Sequence, residues 1–201
     1  MENFLGQLAA TTFLEGLAVA LALAYVWLAA RQNIWCWPCA LVSTGIYTWL
    51  FWSVSLPFHT GLNFYYLIMA VYGLLKWRGN HADTVFVKSW PIYRHVICIT
   101  GMIIGALLLS HFASTVLDAN YIHLDAFITV FSVFTTVLMA HKVRENWLYW
   151  IIITLFAAYL YFANDLALTG VLFLCYTGFA VYGFIQWRLE PAKLEGQTEA
   201  V

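Results

Sequence analysis

Charge is what this sequence has least of. Nine Lys and Arg and ten Asp and Glu amount to 9% of its 201 residues, whereas about 25% is ordinary for a soluble domain. A water-soluble fold of this size could not cover its surface with so few charges. Soluble enzymes, disordered chains and nucleic-acid binders are therefore excluded. The net charge of −1 leaves no polybasic partner surface. No Gly-x-x-x-x-Gly-Lys-Ser/Thr phosphate loop is present, so the chain does not hydrolyse nucleotides by itself. The six His are scattered, with no His-x-x-x-His spacing to hold a metal. No Asp, Glu or Lys falls at the middle of an apolar run, so a proton relay is missing. The missing phosphate loop and the missing proton relay both point away from a pump.

What is present is apolar surface, 63% of the chain. A helix crossing a hydrocarbon core of about 30 Å needs about 20 mostly apolar residues. Seven such segments are predicted, at 13–31, 34–53, 59–78, 94–113, 122–141, 146–164 and 167–187. Membrane strands are excluded, because the runs do not alternate apolar and polar. Met1-Glu2-Asn3 has no basic n-region, so no cleavable signal peptide is expected. Residues 189–201 read as a polar, loose tail.

The basic residues set an orientation. Arg31 lies between spans one and two. Lys76, Arg78, Lys88 and Arg94 flank the loop between spans three and four. Lys142 and Arg144 lie between spans five and six, and Arg188 and Lys193 follow span seven. All are on one side. The other loops carry Asp118, Asp165 and His123. The positive-inside rule makes the basic side cytoplasmic. The N-terminus is then outside and the C-terminus inside, as an odd number of spans requires.

Tyr66-x-x-x-Ala70-Val71-Tyr72-Gly73-x-x-x-Trp77-Arg78 recurs as Tyr176-x-x-x-Ala180-Val181-Tyr182-Gly183-x-x-x-Trp187-Arg188, an offset of 110 residues (187 − 77). The same offset pairs Glu15 with Asp125, Trp37 with Trp147, and Thr44 with Thr154. The expected fold is thus an all-α integral membrane bundle with a 3+1+3 internal repeat. Its parts are a first three-helix unit (13–78), a linker helix with its loops (79–121), a second unit (122–188) and a tail (189–201). Four spans separate equivalent helices, so the two units run parallel across the bilayer. Transporters built this way bind substrate near mid-membrane at the repeat interface.

Intramembrane polar residues are the default functional candidates. Glu15 and Asp125 either gather cations at the outer mouth or simply face water. On span six, Trp147, Trp150 and Thr154 are spaced i, i+3, i+7 on one helical face, with Asn146 at its border. Two indoles there either stack on a flat, cationic aromatic ring or sit at the headgroup level as belt residues. Trp37 and Pro38 open span two, where proline is tolerated. Asn63, Tyr66 and Tyr176 are further groups that either bond a ligand or link helices.

Cys36-Trp37-Pro38-Cys39 has the spacing of a thiol redox motif. Three observations count against a membrane thiol oxidoreductase. The motif lies on the reducing, cytoplasmic side, its repeat mates Asn146 and Tyr149 are not cysteines, and Cys98 and Cys175 have no sequence neighbour to pair with.

Seven spans, the 3+1+3 arrangement and the Trp-x-x-Trp face resemble the PnuC family of bacterial vitamin transporters, similar in architecture to the SWEET sugar transporters. The resemblance covers nearly the whole chain. It implies a non-enzymatic, cofactor-free, multi-pass inner-membrane uniporter, with cytosolic phosphorylation trapping its substrate. It leaves room for a homo-oligomer. Nicotinamide riboside members carry Trp-x-x-Trp-x-x-x-Asn; here the match is Trp147-x-x-Trp150-x-x-x-Thr154. The exchange of Asn for Thr removes an amide that could recognise a carboxamide. It turns the expectation to thiamine and the thiamine subfamily (PnuT), then nicotinamide riboside, then riboflavin. Trp147 and Trp150 would stack on the ligand. Thr154, Asn146, Asn63, Tyr66, Tyr176 and Trp37 would complete the site.

Overall fold

Inside a bilayer each backbone amide must find a partner within its own segment, which restricts spanning elements to helices or closed barrels. Runs rich in Leu, Ala, Ile and Phe take the helical solution. The structure, a computed structural model, describes residues 13–53, 57–79, 87–116 and 121–198. Among them are seven helices: α1 (Phe13–Ala30), α2 (Cys36–Ser53), α3 (Pro57–Arg78), α4 (Ile92–Val116), α5 (Ile122–Ala140), α6 (Asn146–Ala163) and α7 (Ala167–Thr198). The expected spans match within a few residues, except the last. There the polar stretch read as a loose tail continues α7 as helix to Thr198. Its Ala, Leu, Lys, Glu and Gln are good helix formers. The start of the chain and Asp118 lie outside the described residues.

Five helices are long and apolar enough to cross a membrane: α1, α4, α5, α6 and the Ala167–Leu189 part of α7. α2 and α3 fall short because Ser43, Thr44, Thr48, Asn63 and several Tyr and Trp dilute them. Those two helices supply most of the cavity described below.

α2 packs on α1 and α3, and α6 packs on α5 and α7. The two sets meet through α1 against α7 and α3 against α5. α4 packs along α5. Ahead of α4, Lys88 forms a backbone bridge to the α5–α6 turn: its N–H donates to Lys142 (2.9 Å), and its carbonyl accepts from Arg144 (2.8 Å).

The turns after α1 and α5 are built alike. Gln32 and Lys142 take the left-handed conformation (φ 54° and 53°). Asn33 N–H donates to Leu28 and Gln32 N–H to Ala29; Val143 N–H donates to Leu138 and Lys142 N–H to Met139. These are Schellman closures, which satisfy carbonyls that the helix end leaves without partners. The likeness continues in the side chains. Trp37 meets Trp77 edge-on at 5.3 Å and 90°, and Trp147 meets Trp187 at 5.5 Å and 89°. Trp37 lies against Gly73, and Trp147 lies against Gly183.

One apolar cluster at the basic end draws on both sets. Ala29, Ala30, Cys36, Trp37, Met69 and Ala70 meet Met139, Ala140, Trp147, Ala180 and Trp187. A second cluster joins Met102 of α4 to Phe131, Leu138, Tyr149 and Ile153 of α5 and α6. The polar contact beside it involves Glu145, which accepts from Ser89 (2.6 Å) and from the Trp90 N–H (3.2 Å). It also pairs with Arg144 at 3.0 Å. Burial opposes its charge, but these donors outweigh burial and hold the carboxyl below the usual carboxylate range. His95 of α4 reaches the Tyr149 hydroxyl at 2.8 Å.

Candidate functional site

A cavity of about 140 Å³ lies between α2 and the second set of helices. An engineered cavity of about 150 Å³ holds benzene, so this one has room for a single aromatic ring. From α2 it takes Trp37, Ala40, Ser43 and Thr44, which lie along about two turns. α1 adds Ala22 and Tyr25, and α3 adds Tyr66 and Ala70. Thr136 of α5 and Trp150 of α6 close the far side. The equivalent of Trp150 on α2, 110 residues earlier, is Ala40. The small residue leaves space where the indole fills it, so the cavity lies off-centre towards the first helix set.

The lining is uncharged among the described residues. Its Ser and Thr hydroxyls are committed to backbone. Ser43 donates to the Ala18 carbonyl on α1 (2.8 Å), Thr44 to Ala40 (2.7 Å) and Thr136 to Ser132 (2.8 Å). Each proton is used and a lone pair remains, so these oxygens face a ligand as acceptors. The surrounding rings offer stacking faces.

Three of the eight expected site residues line this cavity: Trp37, Tyr66 and Trp150. Helix geometry separates the other two members of the expected α6 face. Seven residues fall about 20° short of two turns, so Trp147 and Thr154 point the same way. Trp150, about 60° around the helix, points to the cavity. Trp147 is 1% exposed and packs on α7 at Gly183 and Trp187. Thr154 also turns to α7 and meets the Thr177 hydroxyl at 2.8 Å. Asn146 is fully buried and donates to the Val143 carbonyl at 2.6 Å, closing the first turn of α6. Asn63 is half-buried on α3, and Tyr176 of α7 packs edge-on to Phe173. None of these five is among the lining residues.

The residues that sequence reasoning missed are Tyr25, Ser43, Thr44 and Thr136. Thr44 was within reach as the mate of Thr154, and Ser43 is a hydroxyl in an apolar span. Cys36 is fully buried and Cys39 is half-buried, and both are free thiols. A thiol sealed in the core has no access to a redox partner.

A multi-pass helical bundle with an uncharged, aromatic-walled cavity between two sets of helices has the make-up of a small-solute membrane transporter. The chain belongs to the nicotinamide mononucleotide transporter family, whose profile matches residues 12–189. It is 27% identical over 171 residues to the riboflavin/roseoflavin transporter RibM of Streptomyces davaonensis, covering 81% of this chain and 78% of that one. The crystal structure of the vitamin B3 transporter PnuC superposes with a TM-score of 0.69 over 88% of this chain and 80% of that one. At 24% identity that likeness concerns the fold. The family and its structural neighbour are transporters, and the chain is not an enzyme.

Proposed function

We propose that this protein carries a flat aromatic vitamin across the inner membrane by facilitated diffusion. The observation that carries the reading is the cavity: one ring in size, walled by Trp37 and Trp150, edged by acceptor hydroxyls and without charge. The family, and the riboflavin and vitamin B3 transporters that the chain resembles, support the vitamin class. A pathway without a buried charge gives an ion gradient nothing to act on, so uptake equilibrates. Phosphorylation by a cytosolic kinase then keeps the product inside.

The parallel 3+1+3 repeat belongs to the same proposal. The matched turns, Trp–Trp pairs and Trp–Gly contacts 110 residues apart support two equivalent three-helix units. α1–α3 would rock against α5–α7 about an axis along the membrane normal. The basic end is assigned to the cytoplasm by the positive-inside rule.

Among substrates, a one-ring cavity suits the thiazolium of thiamine or the pyridinium of nicotinamide riboside. Either vitamin would gain cation–π attraction from the two indoles. The case for thiamine over nicotinamide riboside loses weight, because Thr154 faces Thr177 rather than the cavity. A second reading, riboflavin, is favoured by the likeness to RibM. It requires the cavity to widen for a three-ring system. Titration of the purified protein with thiamine, nicotinamide riboside and riboflavin tests the proposal. Binding of one of them tighter than about 1 mM, near −4 kcal/mol, is expected. Weaker binding of all three overturns it.

A further inference from the structure

At the basic end, each helix set closes on the other through an indole. Trp77 Nε1 of α3 donates to the carbonyl of Ala140 at the end of α5 (3.1 Å), and Trp187 Nε1 of α7 donates to Ala29 in the last turn of α1 (3.2 Å). The two acceptors lie in the last turn of a helix, and the Ala29 carbonyl also accepts from the Gln32 N–H (2.9 Å). The two donors are 110 residues apart, and their rings approach to 6.5 Å. Over this pair, Lys142 and Gln32 join across the two sets at 3.4 Å. They too are 110 residues apart. The Lys142 ammonium lies 4.7 Å above the Trp77 ring.

The Trp77–Trp187 and Gln32–Lys142 contacts join residues to their own sequence equivalents, as expected around a pseudo-two-fold axis. They seal the apolar cluster that buries Cys36. They also reach the cavity, because Trp37 forms its wall and packs edge-on against Trp77. Gly73 and Trp77, one turn apart on α3, bracket Trp37.

We propose that Trp77 and Trp187, with the Gln32–Lys142 pair over them, form the gate that closes the substrate cavity at the basic end. This rests on the reading of the protein as a transporter with two moving units. Opening towards the basic side breaks both indole–carbonyl bonds together and separates Gln32 from Lys142. A ring entering beside Trp37 presses on Trp77, which links substrate to gate.

Two experiments test the gate. The first uses Cys36 and Cys98 as the only thiols, with Cys39 and Cys175 replaced by serine, and measures their alkylation by a maleimide. Cys36 lies beneath the seal, and Cys98 on α4 lies outside it. Trp77→Phe with Trp187→Phe keeps two rings and removes both N–H groups. It should speed alkylation at Cys36 about tenfold, the ratio that about 1.4 kcal/mol of lost bonding gives, and leave Cys98 unchanged. A rise at both thiols, or at neither, overturns the gate. The second places Gln32→Cys with Lys142→Cys and joins them with a short bismaleimide, using each single variant as control. Vitamin uptake into proteoliposomes should stop. Uptake at the uncrosslinked rate overturns the gate. The alkylation experiment needs no substrate, so its failure counts against the gate alone. Absence of uptake by the unmodified protein counts against the transport reading.

Discussion

Gly73→Ala separates the cavity from the scaffold that supports it. A Cβ at Gly73 falls on three ring atoms of Trp37, well inside van der Waals contact. The indole is 1% exposed, with Trp77 at its edge and Tyr25 6.0 Å away. Its remaining free direction is the cavity. Overpacking of this kind costs about 1–3 kcal/mol, which for a chain of this size lowers Tm by roughly 2–12 °C. A ring displaced into a 140 Å³ space also removes the ligand's place, so vitamin affinity should fall at least tenfold. Gly183→Ala is the matched control. Its Cβ lies 2.6–2.7 Å from ring atoms of Trp147, so the stability loss should be similar. Trp147 does not line the cavity, so affinity should change little. Adding Trp37→Phe to Gly73→Ala should restore part of the lost stability, because contacting pairs couple by about 0.5–3 kcal/mol. The assay is a thermal melt beside a binding titration in detergent. Unchanged binding in Gly73→Ala, or equal loss of binding in both variants, refutes the argument.

Trp150→Ala should weaken vitamin binding about tenfold, the loss of one stacking face, and equal affinity in a titration would remove that indole from the site. Glu145 has a depressed folded value, so its contribution is present above the unfolded carboxylate value and disappears as pH falls through the lower folded value. Melts from neutral pH downward should show the wild type losing stability below about pH 4.3, and Glu145→Gln should lose it less steeply. His141 is held below its ordinary value, first by burial and then by Lys76 and Lys88. The folded chain therefore takes up its proton later than the unfolded chain, and stability should fall as pH drops below about 6.5. Its Nε2 meets the Tyr72 hydroxyl at 2.9 Å, so His141→Gln, which titrates nowhere in this range, should flatten that part of the profile.

Seven helices were legible because long apolar runs leave their length in the sequence, five of them long and apolar enough to cross a membrane, and most basic residues fall near helix ends, with Arg188 and Lys193 inside α7. The block from Tyr66 to Arg78 and its copy showed in the sequence as a recurrence, and the structure gives each Trp–Gly set the same contacts. The site was less legible. Period tells which residues of α6 share a face but not which helix that face meets, so Trp147 and Thr154 were grouped with Trp150. Their destination depends on Gly183 and Thr177, which come 36 and 23 residues later. Ser43 and Thr44 look like ordinary span hydroxyls until α1 and α6 close over them. The tail was read as loose from its polarity, whereas α7 continues as helix to Thr198 despite Pro191 and Gly196.

Uptake of radiolabelled thiamine, nicotinamide riboside and riboflavin into proteoliposomes bears most directly on vitamin transport by facilitated diffusion. One of them should enter until inside and outside concentrations are equal, and no further when a proton or sodium gradient is imposed. Accumulation above the outside concentration, or no uptake of any of the three, would contradict it.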